Sequence, residues 1–266
     1  MRSEVNCFWL PKKGAPDAEY EDAYRVSPCK DDAGDYDPGF LRVIVADGAS
    51  ESMLAGRWAR HLVTVFGAAP ESLGTEAGFI AAYWRAADSW EAEAFRYKQE
   101  RAERNSPIQW YEEPGLARGA YSTLLAVEFR CEPDGESARW TAAAIGDSCL
   151  FQVRGEELYS AFPIRNSGDF NNQPPLLSSH GTDIEVLGRH LSIETGELAL
   201  EDICYLATDA LSAWFLRMVE AGDQPWRMLA VLDDSAQEEF PELVDKLRDD
   251  GKIRDDDTTL IRVNVG

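Results

Sequence analysis

The sequence has no apolar run approaching the ~18–20 residues that a membrane-crossing helix requires, and residues 1–14, MRSEVNCFWLPKKG, lack the apolar stretch and small-residue cleavage site of a secretory signal. No membrane partner is expected, and the expected location is cytoplasmic. Positive charge is scarce: 26 Lys and Arg stand against 48 Asp and Glu, a net charge of −22. A field of that sign repels phosphate backbones, so nucleic acid is not an expected partner. Histidine is rarer still, with His61, His180 and His190 falling in no HExxH-like pattern. The five cysteines, Cys7, Cys29, Cys131, Cys149 and Cys204, are odd in number and form no CxxC pair, which points to reduced thiols rather than a zinc site or a disulfide framework. Internal repeats and low-complexity linkers are absent, so residues 1–266 read as one domain, long enough to bury a large core.

What is present is a globular composition, 44% hydrophobic with eight Trp, which excludes a largely disordered chain. Segments 40–48, 122–129, 139–148, 149–159, 202–210 and 258–265 are rich in Val, Ile, Leu and aromatics and read as strands, several apolar on both faces. Helical periodicity runs through 52–66, 77–105, 212–222, 225–232 and 238–250. Short turns at 131–137 and 153–157 join strands into antiparallel hairpins, which gives a layered α+β architecture with helices available to cover both sheet faces. The irregular stretch PIRNSGDFNNQPPLLSSHGTD at 163–183 is long enough to be a functional loop, a flap. In the helical insert, Trp84, Trp90, Trp110 and Tyr111 read as core packing, since large apolar groups gain most from burial.

Carboxylates recur at the ends of apolar strands. Asp47 closes FLRVIVA, Asp147 follows TAAAIG, Asp209 follows DICYLAT, and Asp256 opens the last strand. Each alone has an ordinary reading: Asp47-Gly48 or Gly146-Asp147 as a turn, and one or two acids of Asp255, Asp256 and Asp257 as solvated charge. Together they differ, because buried carboxylates repel one another strongly unless cations lie between them. All-oxygen donors select hard ions, Mg²⁺ or Mn²⁺ rather than Zn²⁺, and two such ions about 3.5–4 Å apart can activate a water and clamp a phosphoryl group. Gly48 would let its own carbonyl approach such an ion.

In order along the chain, YEDAYRV (Glu21, Asp22), ADGAS (Asp47, Gly48), GAYSTLLAVEF, IGDSCLFQVRGEEL (Asp147), TDALSAWF (Asp209) and DDTTLIRV (Asp256) resemble the motif series of the metal-dependent Ser/Thr protein phosphatases, the PPM or phosphatase 2C family. The likeness extends from about Gly14 to Val265 and marks a divergent bacterial-type member. It implies a phosphatase 2C-like four-layer αββα sandwich, two central antiparallel sheets flanked by helices. It also implies that Asp47 bridges two Mn²⁺ or Mg²⁺ ions, with the Gly48 carbonyl on one and Asp209 and Asp256 on the other. Glu21 and Asp22 would act mainly through metal-bound water, and Asp147 would join Asp209 at a third, weaker site. Asp256 is preferred over its neighbours because it lies three residues before Thr259, as the family pattern requires. The implied reaction is attack of an activated water on phosphoserine or phosphothreonine in a protein, a cognate kinase or that kinase's target.

Departures from the pattern carry information too. Where the family places a phosphate-gripping Arg, four residues before Glu21, this chain has Asp17; Lys12 and Lys13 are nearby candidates for the lost charge. The glycine-rich turn after Asp47 has become DGASE, the Gly after Asp209 is Ala210, and the Arg of GDSR is Cys149. Two other readings follow: a catalytically weak or inactive phosphatase-like module with a binding or regulatory role, and an acidic cation-binding protein. A haloacid-dehalogenase-type phosphatase is excluded, since VADGAS does not provide its DxDx[TV] nucleophile.

Overall fold

A computed structural model describes residues 3–28, 39–131, 137–171, 173–232 and 239–266. Cys29 and most of the turn expected at 131–137 lie outside the described residues. The strands are β1 (Ser3–Leu10), β2 (Ala23–Ser27), β3 (Phe40–Ala46), β4 (Tyr121–Ser122), β5 (Leu124–Cys131), β6 (Ala138–Ile145), β7 (Cys149–Arg154), β8 (Glu157–Phe162), β9 (Leu177–Ser178), β10 (Ser192–Leu198), β11 (Ile203–Ala207) and β12 (Thr258–Val265). The helices are α1 (Ala55–Gly67), α2 (Glu76–Glu103), α3 (Glu113–Arg118), α4 (Ile184–His190), α5 (Asp209–Glu220), α6 (Trp226–Leu229) and α7 (Glu239–Asp249).

Two five-stranded sheets form the centre, in the orders β1-β12-β11-β7-β8 and β10-β6-β5-β3-β2, with every pairing antiparallel. The period of two along β3 explains their stacking. Leu41, Val43 and Val45 join Val127 and Phe129 of β5 and meet Leu206, Ile261 and Val263 of the other sheet. Ile44 and Ala46 point the opposite way, onto Trp58, Leu62 and Phe66 of α1 and Phe79 and Tyr83 of α2. On the far side, Phe151, Tyr205 and Leu260 face Trp214 and Phe215 of α5 and Phe240 and Val244 of α7. Three apolar interfaces thus separate four layers, helices outside and sheets within. Since a one-residue slip would exchange the two faces of a strand, and both are buried here, volume on each side fixes the register.

β6 and β7 belong to different sheets, and residues 146–148 carry the chain across between them. The crossing needs Gly146: its φ is +108°, and a Cβ there would lie 2.6 Å from the Thr123 side chain. The segment 149–159 that reads as one strand is the hairpin β7–β8, turning at Gly155-Glu156. Of the insert aromatics, Trp90 is buried and Trp84 half-buried against the α1–α2 core, but Trp110 and Tyr111 are 80% and 65% exposed, so the packing expected for these two is not found. They stand in the link from α2 to α3, which brings them to no sheet. No helix among the described residues is long and apolar enough to cross a membrane.

Candidate functional site

The ends of β3, β6, β11 and the start of β12 meet over one cavity of about 580 Å³. Asp47, Gly48, Asp147, Asp209 and Asp256 line it, with Arg118 and Arg254. Asp47 leaves β3 under tight backbone control: its carbonyl accepts from the Thr123 N–H (2.9 Å) and the Ser122 hydroxyl (2.8 Å), and its N–H donates to Thr123 Oγ1 (3.2 Å). Gly48 then passes between two backbones, where a Cβ would come within 2.8 Å of the Ala55 carbonyl carbon and the Glu21 oxygen. Only glycine fits that gap, a matter of space rather than of dihedral.

Asp147 follows the Gly146 crossing and is 4% exposed. Asp209 is the first residue of α5, directly after β11 and Thr208, so its side chain stands at a strand-to-helix junction. One of its oxygens accepts from the Arg254 guanidinium; the other, Oδ1, is buried without a hydrogen-bond partner. Asp22, 1% exposed at the entrance to β2, accepts from Thr259 Oγ1 (2.7 Å) through Oδ2, and its Oδ1 is likewise without a partner. Neither Glu21 nor Asp22 lines the cavity itself; Glu21 reaches it through Ser50, a lining residue whose hydroxyl donates to its carboxylate, and stands 3.7 Å from Lys12 Nζ.

The three acids before β12 divide by task. Asp255 is exposed and accepts from the Lys13 N–H (2.8 Å). Asp257 ties down two backbones, accepting from the N–H groups of Lys12 (2.8 Å) and Glu21 (2.6 Å). Asp256 alone of the three lines the cavity, with Oδ1 accepting from the Asp257 N–H (3.0 Å).

The electrostatics follow from this crowding. Burial, and then the charges of Asp22, Asp209, Asp256 and Asp147, push the Asp47 carboxyl well above the usual carboxylate range. Asp22 is raised by burial, with Asp257 and Asp209 adding to it. Burial also raises Asp209, against the neighbouring Arg254, and Asp256. Asp147 is pushed up to about 7 by burial and the Asp209 charge.

Among the described residues no three His, Cys, Asp or Glu side chains stand at metal-binding spacing; the carboxylates share a cavity rather than a point. The donor chemistry nonetheless fits a hard divalent cation. Every candidate donor is an oxygen, the buried Asp209 Oδ1 in the cavity and Asp22 Oδ1 beside it have no hydrogen-bond partner, and Gly48 holds a backbone close to the site. Two cations lining the cavity, Arg118 and Arg254, have no counterpart in the motif reading. A basic residue just before a motif strand (Arg118-Gly119, ahead of β4) and one just before DDD (Arg254) were the available signals. The loop expected as a flap does reach the cavity, through Asn171, Gln173, Pro174 and Leu176.

No family model matches the chain, and no curated protein matches it by sequence. Solved structures do. The catalytic domain of the serine/threonine protein phosphatase PstP, in complex with two manganese ions, is 17% identical with a TM-score of 0.60, over 100% of this chain and 99% of that one. The photosystem II phosphatase PBCP is 14% identical with a TM-score of 0.56, over 99% of both chains. The serine/threonine phosphatase Stp1 from Staphylococcus aureus is 13% identical with a TM-score of 0.59, over 99% of this chain and 95% of that one. At such identities the likeness establishes the fold: this chain has the phosphatase 2C-like sandwich that its motif series implied.

Proposed function

We propose that this protein is a divergent PPM-type phosphoprotein phosphatase, a single domain that hydrolyses phosphoserine or phosphothreonine in the cytoplasm with the help of bound Mn²⁺ or Mg²⁺. The observation that carries the reading is the delivery of four carboxylates, Asp47, Asp147, Asp209 and Asp256, from separate strand ends into one cavity of a fold shared with such phosphatases. Their mutual repulsion gives the cavity an affinity for divalent cations that neutral cavities lack. Asp47 and the Gly48 carbonyl would hold one ion and Asp47, Asp209 and Asp256 a second, with Glu21 and Asp22 supporting them through water and Asp147 serving a weaker third. When bound, such ions lower the pKa of a water and neutralise the phosphoryl oxygens.

The chain's own residues do the rest. Thr123 and Ser122 fix the backbone from which the Asp47 side chain projects, through three hydrogen bonds. Asp257 fixes the segment that carries Glu21 by accepting the Glu21 N–H. Thr259 holds one oxygen of Asp22 and leaves the other buried without a hydrogen-bond partner. The partners that fit are a phosphorylated kinase or that kinase's target, reversed in a signalling circuit.

A second reading, a phosphatase-like module with weak or no turnover, is favoured by one contact: the Arg254 guanidinium already compensates Asp209. Hydrolysis of p-nitrophenyl phosphate with Mn²⁺, with Mg²⁺ and with chelator, beside Asp47→Ala prepared identically, separates the two. Metal-dependent turnover that the variant lacks supports the phosphatase. Measurable Mn²⁺ binding with no turnover supports the module.

A further inference from the structure

A substrate phosphate carries up to two negative charges into a cavity lined by acids, on a protein of net charge −22. Some cation must grip it. Asp17, where the motif pattern has Arg, sits exposed on a single helical turn at Asp17–Glu19. Neither nearby lysine is well placed to serve. Lys13 Nζ is 2.6 Å from Asp249, Lys12 Nζ is 3.7 Å from Glu21, and neither lines the cavity.

The cavity has two basic residues, and they differ. Arg254 is committed to Asp209. Arg118, the last residue of α3, is exposed, and among the described residues its guanidinium has no acidic partner. Arg42, Arg57, Arg85, Arg154 and Arg227, by contrast, are paired with carboxylates. The backbone beneath it is held firmly. The Tyr121 hydroxyl donates to the Arg118 carbonyl (3.2 Å), and the next residue, Gly119, bonds back to Leu116 (3.2 Å). Gly119 has φ +83°, where a Cβ would lie 2.5 Å from the His180 ring, so the turn admits no other residue easily. A rigid turn therefore presents an uncompensated guanidinium to the acid-lined cavity.

We propose that Arg118 grips the phosphoryl group of the substrate, taking the role vacated at position 17; this rests on the phosphatase reading above. Its planar fork can offer two parallel N–H donors to two phosphate oxygens, whereas a lysine would offer a point charge. Because the phosphoryl group is held in both ground and transition states, the interaction acts on binding more than on turnover.

The test compares the unsubstituted protein with Arg118→Ala, Arg118→Lys and Arg254→Ala. Calorimetry in Mg²⁺ reads the Kd of inorganic phosphate, and p-nitrophenyl phosphate hydrolysis reads KM and kcat. Arg118→Ala should weaken phosphate binding and raise KM by about ten- to a hundredfold with kcat within about threefold, and Arg118→Lys should recover part of the loss. Unchanged Kd and KM in Arg118→Ala overturn the proposal, as does a loss that follows Arg254→Ala instead, or an unsubstituted protein that binds no phosphate. The two readings separate cleanly. Arg118-dependent phosphate binding without hydrolysis removes the phosphatase and keeps the grip, while hydrolysis indifferent to Arg118 does the reverse.

Discussion

Glu128 and Asp202 are 1% and 0% exposed, as deeply buried as any acid of the cavity, and yet they behave in the opposite way. Burial alone would push Glu128 up, but the Leu73 N–H (3.1 Å) and the Arg42 guanidinium (2.6 Å) hold it below the usual carboxylate range. Asp202 is treated alike: against burial stand Arg154 (2.8 Å), the Ala199 N–H (2.8 Å) and Gln152 (2.6 Å), and it too is lowered. Around the cavity the compensation is thinner, with a guanidinium on Asp209 alone, from Arg254, and Asp22, Asp47, Asp147, Asp209 and Asp256 are all raised. The same side chain is a structural pin where the fold supplies enough donors and, on the proposed reading, a metal ligand where it supplies few.

The comparison can be broken most directly at Asp47. Alanine there should cut metal-dependent p-nitrophenyl phosphate hydrolysis by about a thousandfold or more while raising the melting temperature in chelator, because a like charge is removed. Full activity in that variant ends the two-ion assignment. At the contrasting site, Arg42→Met leaves Glu128 buried without its guanidinium and should cost roughly 3–5 kcal/mol in urea unfolding, with the activity of the folded fraction retained. Arg42→Met combined with Glu128→Leu should recover most of that loss, which a purely volumetric effect would not do.

The two regions also predict opposite limbs of one pH profile. A carboxyl raised in the folded state stabilises below its unfolded pKa of about 4 and loses that contribution as pH rises towards its folded value, about 7 for Asp147. Glu128 and Asp202, lowered on folding, stabilise above the unfolded value and lose that only in more acid solution. The melting temperature in chelator should therefore fall by several degrees between pH 5 and pH 8, on the order of a few kcal/mol, and Mg²⁺ should restore more at pH 8 than at pH 5. A flat profile over that range would remove the contrast. The smallest effect is expected from Asp147→Asn, about a tenfold drop in turnover with tight Mn²⁺ affinity within about threefold; equal loss of both would place Asp147 among the tight ligands.

How much of this the sequence disclosed depended on whether a residue's neighbours are local. β3, β5 and β12 are apolar on both faces, and composition alone marks them. β10 is solvated along one face, SIETGEL, and β1 carries a polar residue inward, with Asn6 only 1% exposed and accepting from Arg262 at 2.7 Å. Neither shows an apolar run, so composition does not mark either as a strand. The acids could be found because a strand end is a local landmark. Arg118 and Arg254 could not, since what distinguishes them is which of them finds a carboxylate, and Asp209 is far from Arg254 in sequence. Trp110 and Tyr111 misled for the same reason: burial was inferred from residue type where the fold supplies no surface to bury them.

The pairing of β1 with β12 has a temporal consequence. Every partner of β1 in the register Ser3↔Val265 to Leu10↔Thr258 lies in β12, and the contact from the Lys12 N–H to Asp257 spans 245 positions. During synthesis β1 emerges before β12 and must wait for it before the two can pair, so Val5 and Phe8, both buried in the folded chain, lack that cover until then. Asp256 arrives with that last strand, so the acid cavity is assembled only when the sheet closes. Until β12 is in place, β1 lacks its sheet partner and the cavity lacks Asp256, so closure of the sheet and completion of the cavity are one event.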